Sequence, residues 1–192
     1  NKTALEMWEG PMVLPGNYRA VLEVGSSKSE VSFEVINDPR VKTSLTAMRN
    51  QMRILNKIRD SISDCHVTVN KVRDIRDQVK AWERRLADEA LKQQANNLIK
   101  KLDAIEDKLI LPGEQKDLYM GKARLNAALG MLATVVNSAD SAPTEQSIDL
   151  YKQTKAKVEA VMEELIVVIK KDVKGFNRAV RDARIRAVVV TV

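Results

Sequence analysis

Between residues 44 and 111 this chain contains neither glycine nor proline. Across that stretch Leu45, Met48, Met52, Leu55, Ile58, Ile62, Cys65, Val69, Val72, Ile75, Val79, Trp82 and Leu86 recur at spacings of three and four. That period marks one face of an α-helix. Its near-heptad spacing favours long antiparallel packing over a compact globin-like arrangement. One helix from 44 to 110 would be about 100 Å long, well beyond what a globular domain ordinarily builds. The spacing stumbles to five between Leu86 and Leu91, so a reversal is expected near Ala87-Asp88-Glu89.

The rest of the chain divides in the same way. Helices are predicted over residues 44–86, 89–110, 116–137 and 144–183. Ser44, or its rival Thr43, offers an N-cap oxygen to the first helix. The second helix turns Leu91, Ala95, Leu98, Leu102, Ile105 and Leu109 inward and is stopped by Pro112-Gly113. The third carries Leu118, Leu125, Leu129, Leu132, Val135 and Val136, and is weakened at Gly121 and Gly130 by up to about 1 kcal/mol each. After a loop at 138–142, Pro143 suits the first turn of the fourth helix, and Glu145 places negative charge near its N-terminus. Ile148, Tyr151, Val158, Val161, Met162, Leu165, Ile169, Val173, Phe176 and Val180 form its inner face.

Ahead of the helices lies a different pattern. Leu14-Pro15-Gly16-Asn17-Tyr18 leads into the alternating run 19–25; a polar turn is read at Ser26-Ser27-Lys28-Ser29, then Val31-Ser32-Phe33-Glu34-Val35 alternates again. This is an antiparallel hairpin, and a lone hairpin is marginal without further strands over its apolar face. Alternation ends at Asn37-Asp38-Pro39-Arg40. The expected fold class is therefore mainly α: residues 1–37 as the last strands of an Ig-like sandwich, then residues 38–192 as an extended helical bundle. Helices that are long, short, short and long suggest a path of long up, short down, short up, long down. A two-helix stalk near 45–64 and 163–182 would set Leu55 and Ile62 against Leu165, Ile169 or Val173. It would return the apolar tail 187–192 to the hairpin. A chain starting at Asn, with no apolar signal segment, is expected to be the C-terminal part of a larger protein.

Aromatics make up 4% of the residues, as suits long helices, and no window approaches a membrane span. One cysteine excludes an intrachain disulfide and any multi-cysteine zinc site. The net charge of +6 is uneven: residues 1–37 balance to −2 and the remainder to +8. That polarity suggests an anionic partner without naming one.

Several segments together resemble a known arrangement: Trp8-Glu9-Gly10-Pro11, Pro15-Gly16-Asn17-Tyr18, Phe33-Glu34-Val35 and Asp38-Pro39-Arg40-Val41 in the first part. Lys57-Ile58-Arg59-Asp60, Val72-Arg73-Asp74-Ile75-Arg76, Ala81-Trp82-Glu83, Lys101-Leu102-Asp103-Ala104-Ile105-Glu106 and the run 138–144 follow in the helices. In this order they resemble the C-terminal region of bacterial sortilin-like proteins with Asp-box (BNR) β-propellers. The resemblance spans nearly the whole chain and implies the order propeller, Ig-like module, helical tail. It also implies an extracytoplasmic location, periplasmic or secreted. This chain departs in carrying no Asp-box, and its segment around Ala87-Asp88-Glu89 is shorter than the family's Asp-Pro turn.

No residue is assigned a catalytic, cofactor-binding or metal-binding role. Tyr18 sits where an Ig-like tyrosine corner would, one residue tighter than the family's Leu-x-Pro-Gly-x-Tyr, and is read as structural. Cys65 and His66, the single cysteine and histidine, point about 100° apart on a helix and cannot face each other; Cys65 falls on the apolar seam. Asp60, Asp64, Asp74 and Asp77 lie among cations at ion-pair spacings. Two basic stripes remain: Arg73, Arg76, Lys80 and Arg84, and then Lys170, Lys171, Lys174, Arg178, Arg181, Arg184 and Arg186. They read as solvated faces before anionic docking sites; nucleic acid fits poorly without aromatic interleaving. Trp82, between Val79 and Leu86, reads as core. The expected function is a non-catalytic scaffold or interaction region whose partners are the upstream propeller and Ig-like module. The alternatives are an accessory domain shaping a glycan or peptide site of a propeller hydrolase, and a basic helical module for an anionic partner.

Overall fold

The protein is mainly helical, with a two-stranded antiparallel hairpin followed by a helical bundle. The computed structural model describes residues 11–111 and 124–185. Its elements are β1 (Gly16–Val24), β2 (Ser27–Val35), α1 (Leu45–Glu83), α2 (Glu89–Leu109), α3 (Leu125–Val136), α4 (Glu145–Val168), a π turn (Ile169–Val173) and α5 (Lys174–Asp182). The expected start of the third helix, with Leu118 and Gly121, lies outside the described residues, as do the Pro112-Gly113 stop, Trp8 and the tail from Arg186 onward.

The hairpin closes more tightly than its sequence suggested. Val24 pairs with Ser27, so the loop is Gly25-Ser26, and Ser27, Lys28 and Ser29, which read as turn, already belong to β2. Gly25 supplies a φ of +59° at the first loop position, the backbone a two-residue primed turn asks of glycine. Pairing runs on to Gly16 opposite Val35.

At the junction, Asp38 accepts from the Arg40 backbone N–H at 2.9 Å, and the Asn37 amide donates to the Val41 carbonyl at 3.2 Å. Alternation therefore stops where expected, and Ser44 Oγ caps α1 by accepting from the Ala47 N–H at 3.2 Å. Asp88 caps α2 by accepting from the Leu91 N–H at 2.9 Å, which explains how the chain reverses without a glycine or proline. Thr144 caps α4 in the same way. Pro143 precedes that cap and is not part of the first turn. The seam is buried as its spacing predicts, through Leu55, Ile58, Cys65, Val69, Val72, Val79 and Leu86 on one side and Ala95, Leu98, Leu102, Ile105 and Leu109 on the other. Val135, expected inward, is 61% exposed, whereas Val136 is buried.

The direction of travel differs from the expected path. Tyr151 Oη lies 3.2 Å from Ser61 Oγ, and Asp64 acts electrostatically on Lys155, so α4 runs parallel to α1. Arg73 and Arg76 reach back to Glu106 and Asp103, Lys108 pairs with Glu164, and Lys101 pairs with Asp172; α2 is therefore antiparallel to both long helices. Gln51 Nε2 donates to the carbonyls of Val136 and Ala139, and Thr43 donates to that of Asp140. The end of α3 thus lies beside the start of α1, and α2 and α3 form two successive pieces of one descending leg. The path is long up, short down, short down, long up. Where the descending leg is described the section is a three-helix bundle, with α3 beside the lower part of α1 and α2 beside the upper.

This corrects the two-helix stalk. Leu165 is one residue from Glu164, which meets α2 near the level of Arg73, several turns beyond Leu55. The last described residues lie at the end remote from the hairpin, and the 187–192 tail expected to return to it lies outside them. The physical reason is the length of the α1 seam. Ile54, Leu55 and Ile58, all buried in the lower half, need two covering helices, and a stalk would supply one.

The π turn is the one irregularity in the ascending leg. Burial along α4 follows Tyr151, Thr154, Val158, Val161, Leu165 and Val168, a rhythm that would next bring Asp172 and then Gly175 and Ala179 inward. The extra residue of the π turn presents Phe176 and Val180 instead, at 2% and 9% exposure. Phe176→Ala should destabilise the protein by about 3 to 5 kcal/mol, read as a drop in the urea unfolding midpoint. A loss under about 1 kcal/mol would show that Phe176 does not anchor this end of the bundle.

Candidate functional site

The hairpin has two chemically distinct faces, because residues directly opposite in an antiparallel pair share a side. Asn17 opposite Glu34, Arg19 opposite Ser32, Val21 opposite Glu30 and Glu23 opposite Lys28 make one face, fastened by Arg19–Glu30 and Lys28–Glu23 ion pairs at 3.2 and 2.8 Å. Gly16 opposite Val35, Tyr18 opposite Phe33, Ala20 opposite Val31, Leu22 opposite Ser29 and Val24 opposite Ser27 make the other. That second face is apolar and lies in solvent: Leu22 is 66% exposed, Val31 61% and Phe33 47%.

Tyr18 organises this face. Its hydroxyl donates to the Leu14 carbonyl at 2.7 Å, and its ring stacks on Phe33 at a centroid distance of 6.0 Å. The hydroxyl thus holds the backbone just before β1, the role its sequence context suggested. Between the hairpin and the bundle lies a cleft of about 430 Å³ whose walls include Met12, Val13, Ile36, Met48, Met52 and Leu55. Its acidic members are Asp38, held by the Arg40 guanidinium at 2.6 Å, and Asp140.

Cys65 and His66 separate as helical geometry requires. Cys65 is fully buried in the core and His66 is exposed. Burial, followed by the charge of Asp64, pushes the thiol up to about 11 from an ordinary 9.0. Asp60, Asp64, Asp74 and Asp77 are all exposed; Asp60 pairs with Arg59 at 2.7 Å, and Asp74 accepts from Gln78 at 3.1 Å. Among the described residues no cluster of three or more His, Cys, Asp or Glu side chains could hold a metal ion. No described helix is long and apolar enough to cross a membrane.

The first basic stripe divides. Arg73 and Arg76 turn toward α2 and clasp Glu106, which is 4% exposed, at 2.7 and 2.6 Å; Arg76 also reaches Asp103 at 2.9 Å. Lys80 and Arg84 stay in solvent. Burial works against the Arg76 charge, but its hydrogen bond to Asp103 and the field of Glu106 outweigh that, so its pKa sits above the ordinary value. Trp82 is half-buried against the core, with the Arg85 guanidinium 4.7 Å from its ring centroid. The second stripe, apart from Arg186, which lies outside the described residues, is exposed throughout.

Glu106 and Gln51 were not singled out by sequence reasoning. The available signal was position: Glu106 follows Ile105 beside the α2 seam, and Arg73 and Arg76 sit three apart on α1. Pairing them required the α1–α2 register, which sequence periodicity does not supply.

Searches against protein-family models, curated proteins and solved structures find no match to this chain.

Two outcomes test this chemistry. Glu106→Gln leaves Arg73 and Arg76 without their shared counter-charge and should cost about 2 to 3 kcal/mol of unfolding free energy, the partial exposure of both arginines tempering the cost. A change below about 0.5 kcal/mol in urea titration would mean the triad is energetically idle. For Cys65, the unfolded chain ionises first as pH rises from 9.0 toward about 11, so its contribution to stability is complete below that window and lost through it. Near pH 8 the native thiol should resist a disulfide reagent that modifies the urea-unfolded chain at once; equal rates in the two states would contradict this burial.

Proposed function

We propose that this chain is a non-catalytic scaffold and interaction region at the C-terminus of a larger propeller-containing protein. Residues 1–37 would supply the last strands of an Ig-like module, and the helical rod would space or dock what lies beyond it. The observation that carries this reading is the apolar hairpin face: Tyr18, Leu22, Val24, Val31 and Phe33 share one side of the sheet with no described helix packed over them. A hairpin face of this kind calls for further strands or a helix to cover it. The tyrosine-corner hydrogen bond, in the place an Ig-like sandwich uses one, supports the same partner.

The resemblance to sortilin-like Asp-box proteins names the source of that β-structure, an upstream module of the same polypeptide, and an extracytoplasmic setting. The rod suits the role. α1 is about 58 Å long at 1.5 Å per residue, and its three-helix section runs from the hairpin to the far tip. At the junction, Asp38 is committed to Arg40, which favours a structural seam over a hydrolytic site.

Hydrogen exchange tests the reading in the intact protein, including the sequence that precedes residue 1. Outward-facing amides of β1 or β2 should exchange more slowly there than in the 192-residue chain, with helix protection unchanged. Equal hairpin exchange in both would remove the basis for an upstream β-partner.

A further inference from the structure

The ascending leg ends in a concentration of positive charge. Between residues 169 and 182 the sequence holds Lys170, Lys171, Lys174, Arg178 and Arg181 against two acids, Asp172 and Asp182, the latter exposed at the end of α5 and in no ion pair among the described residues. Asp172 does not compensate them: it is half-buried, turns to α2 and pairs with Lys101 at 2.7 Å. Several other cations of the bundle meet acids, as in Arg73 and Arg76 with Glu106, Lys108 with Glu164, and Lys155 with Glu159, whereas Arg49, Lys57, Lys80 and Arg84 stand in no ion pair among the described residues. Among the described residues no ion pair reaches Lys170, Lys174, Arg178 or Arg181, and all four are exposed.

The π turn produces this arrangement. By burying Phe176 and Val180 it leaves Lys174, Arg178 and Arg181 on the solvent side of α5, at spacings of four and three, with Lys170 one turn before them. An uninterrupted helix would rotate these side chains by about 100° toward the flank of α2. A π turn costs hydrogen-bond geometry, and such turns concentrate at functional positions.

We propose that this stripe is a docking surface for an acidic polypeptide segment, in particular a helix bearing carboxylates at i and i+4. Four cations one turn apart span about 16 Å, the same ladder that such a helix repeats. The chemistry disfavours two other anionic surfaces. The apolar side chains of α5 are committed to the core, so it cannot insert into a bilayer interface. Phe176, the aromatic within the stripe's own helix, is buried and cannot stack on a nucleobase. The acidic hairpin module lies at the other end of the rod, far beyond a screening length of about 10 Å, and does not neutralise the stripe. The inference does not depend on what covers the hairpin.

The test uses the 192-residue chain and a fluorescently labelled helical peptide of Glu-Ala-Ala-Ala repeats, followed by anisotropy. Binding is expected at low ionic strength and should weaken steadily with added salt. The K174E/R178E/R181E variant should bind at least about tenfold more weakly. The K42E/K71E/K157E variant, which reverses three exposed cations that lie ahead of α1, on α1 and on α4 and form no ladder along one helix, should stay within about twofold. The Gln triple variant at 174, 178 and 181, which avoids repulsion, should weaken binding in the same direction, and circular dichroism checks that each variant folds. Absence of binding at low salt overturns the proposal, as do equal losses from both charge reversals. Tighter binding to duplex DNA, or to phosphatidylserine–phosphatidylcholine vesicles, overturns it as well.

Discussion

The apolar seam of α1 constrains nearly everything else. It runs for 39 residues without a break, and burial continues from Met48 to Val79. A helix that long cannot hide such a stripe against one neighbour, because two packed helices leave the flanks of their contact in water. Two covering layers are needed at every level. The chain meets that requirement with two short helices laid in series and one long interrupted helix running alongside. The lengths of α2 and α3, which seem mismatched to α1 when taken singly, suit it when added along the axis.

Polar contacts decide how these layers align. Apolar burial is nearly indifferent to a slip of one helical turn, whereas a buried charge or amide is not. Glu106 between Arg73 and Arg76 sets α2 against α1 in the upper half. In the lower half, Gln51 satisfies the carbonyls of Val136 and Ala139 as the chain leaves α3, and Tyr151 bridges Ser61 and the Lys57 carbonyl. One alignment satisfies all of them together. A register shift would leave an unpaired carboxylate or open carbonyls in a dry interface.

The two ends of the molecule also differ in surface chemistry. One end carries a small sheet whose apolar face is turned to solvent, and the other carries cations that stand in no ion pair among the described residues. Between them stands a rod whose interior is well filled and whose exposed carboxylates are dispersed among ion pairs. The proposed joining or spacing role rests on this division, with the open surfaces at the two ends and the packed core between them.

Local chemistry alone determined much of this. The hairpin, the Tyr18 hydroxyl contact, the boundary near Asp38, the Ser44 cap and the reversal before Glu89 all depend on contacts within a few residues, and short-range patterning reports them, apart from the hairpin turn, which closes at Gly25-Ser26. The seam itself was legible because a helix repeats every 3.6 residues whatever it packs against. Periodicity, however, names the buried face without naming its neighbour or direction. That is why α3 was read as ascending, and why the partners of Glu106 and Gln51 could not be assigned. The π turn escaped for the related reason that a one-residue phase shift in a long apolar pattern resembles noise until Phe176 has a core to enter. Tertiary structure decided these points, because the free energy of covering the whole α1 stripe is shared among helices distant in sequence.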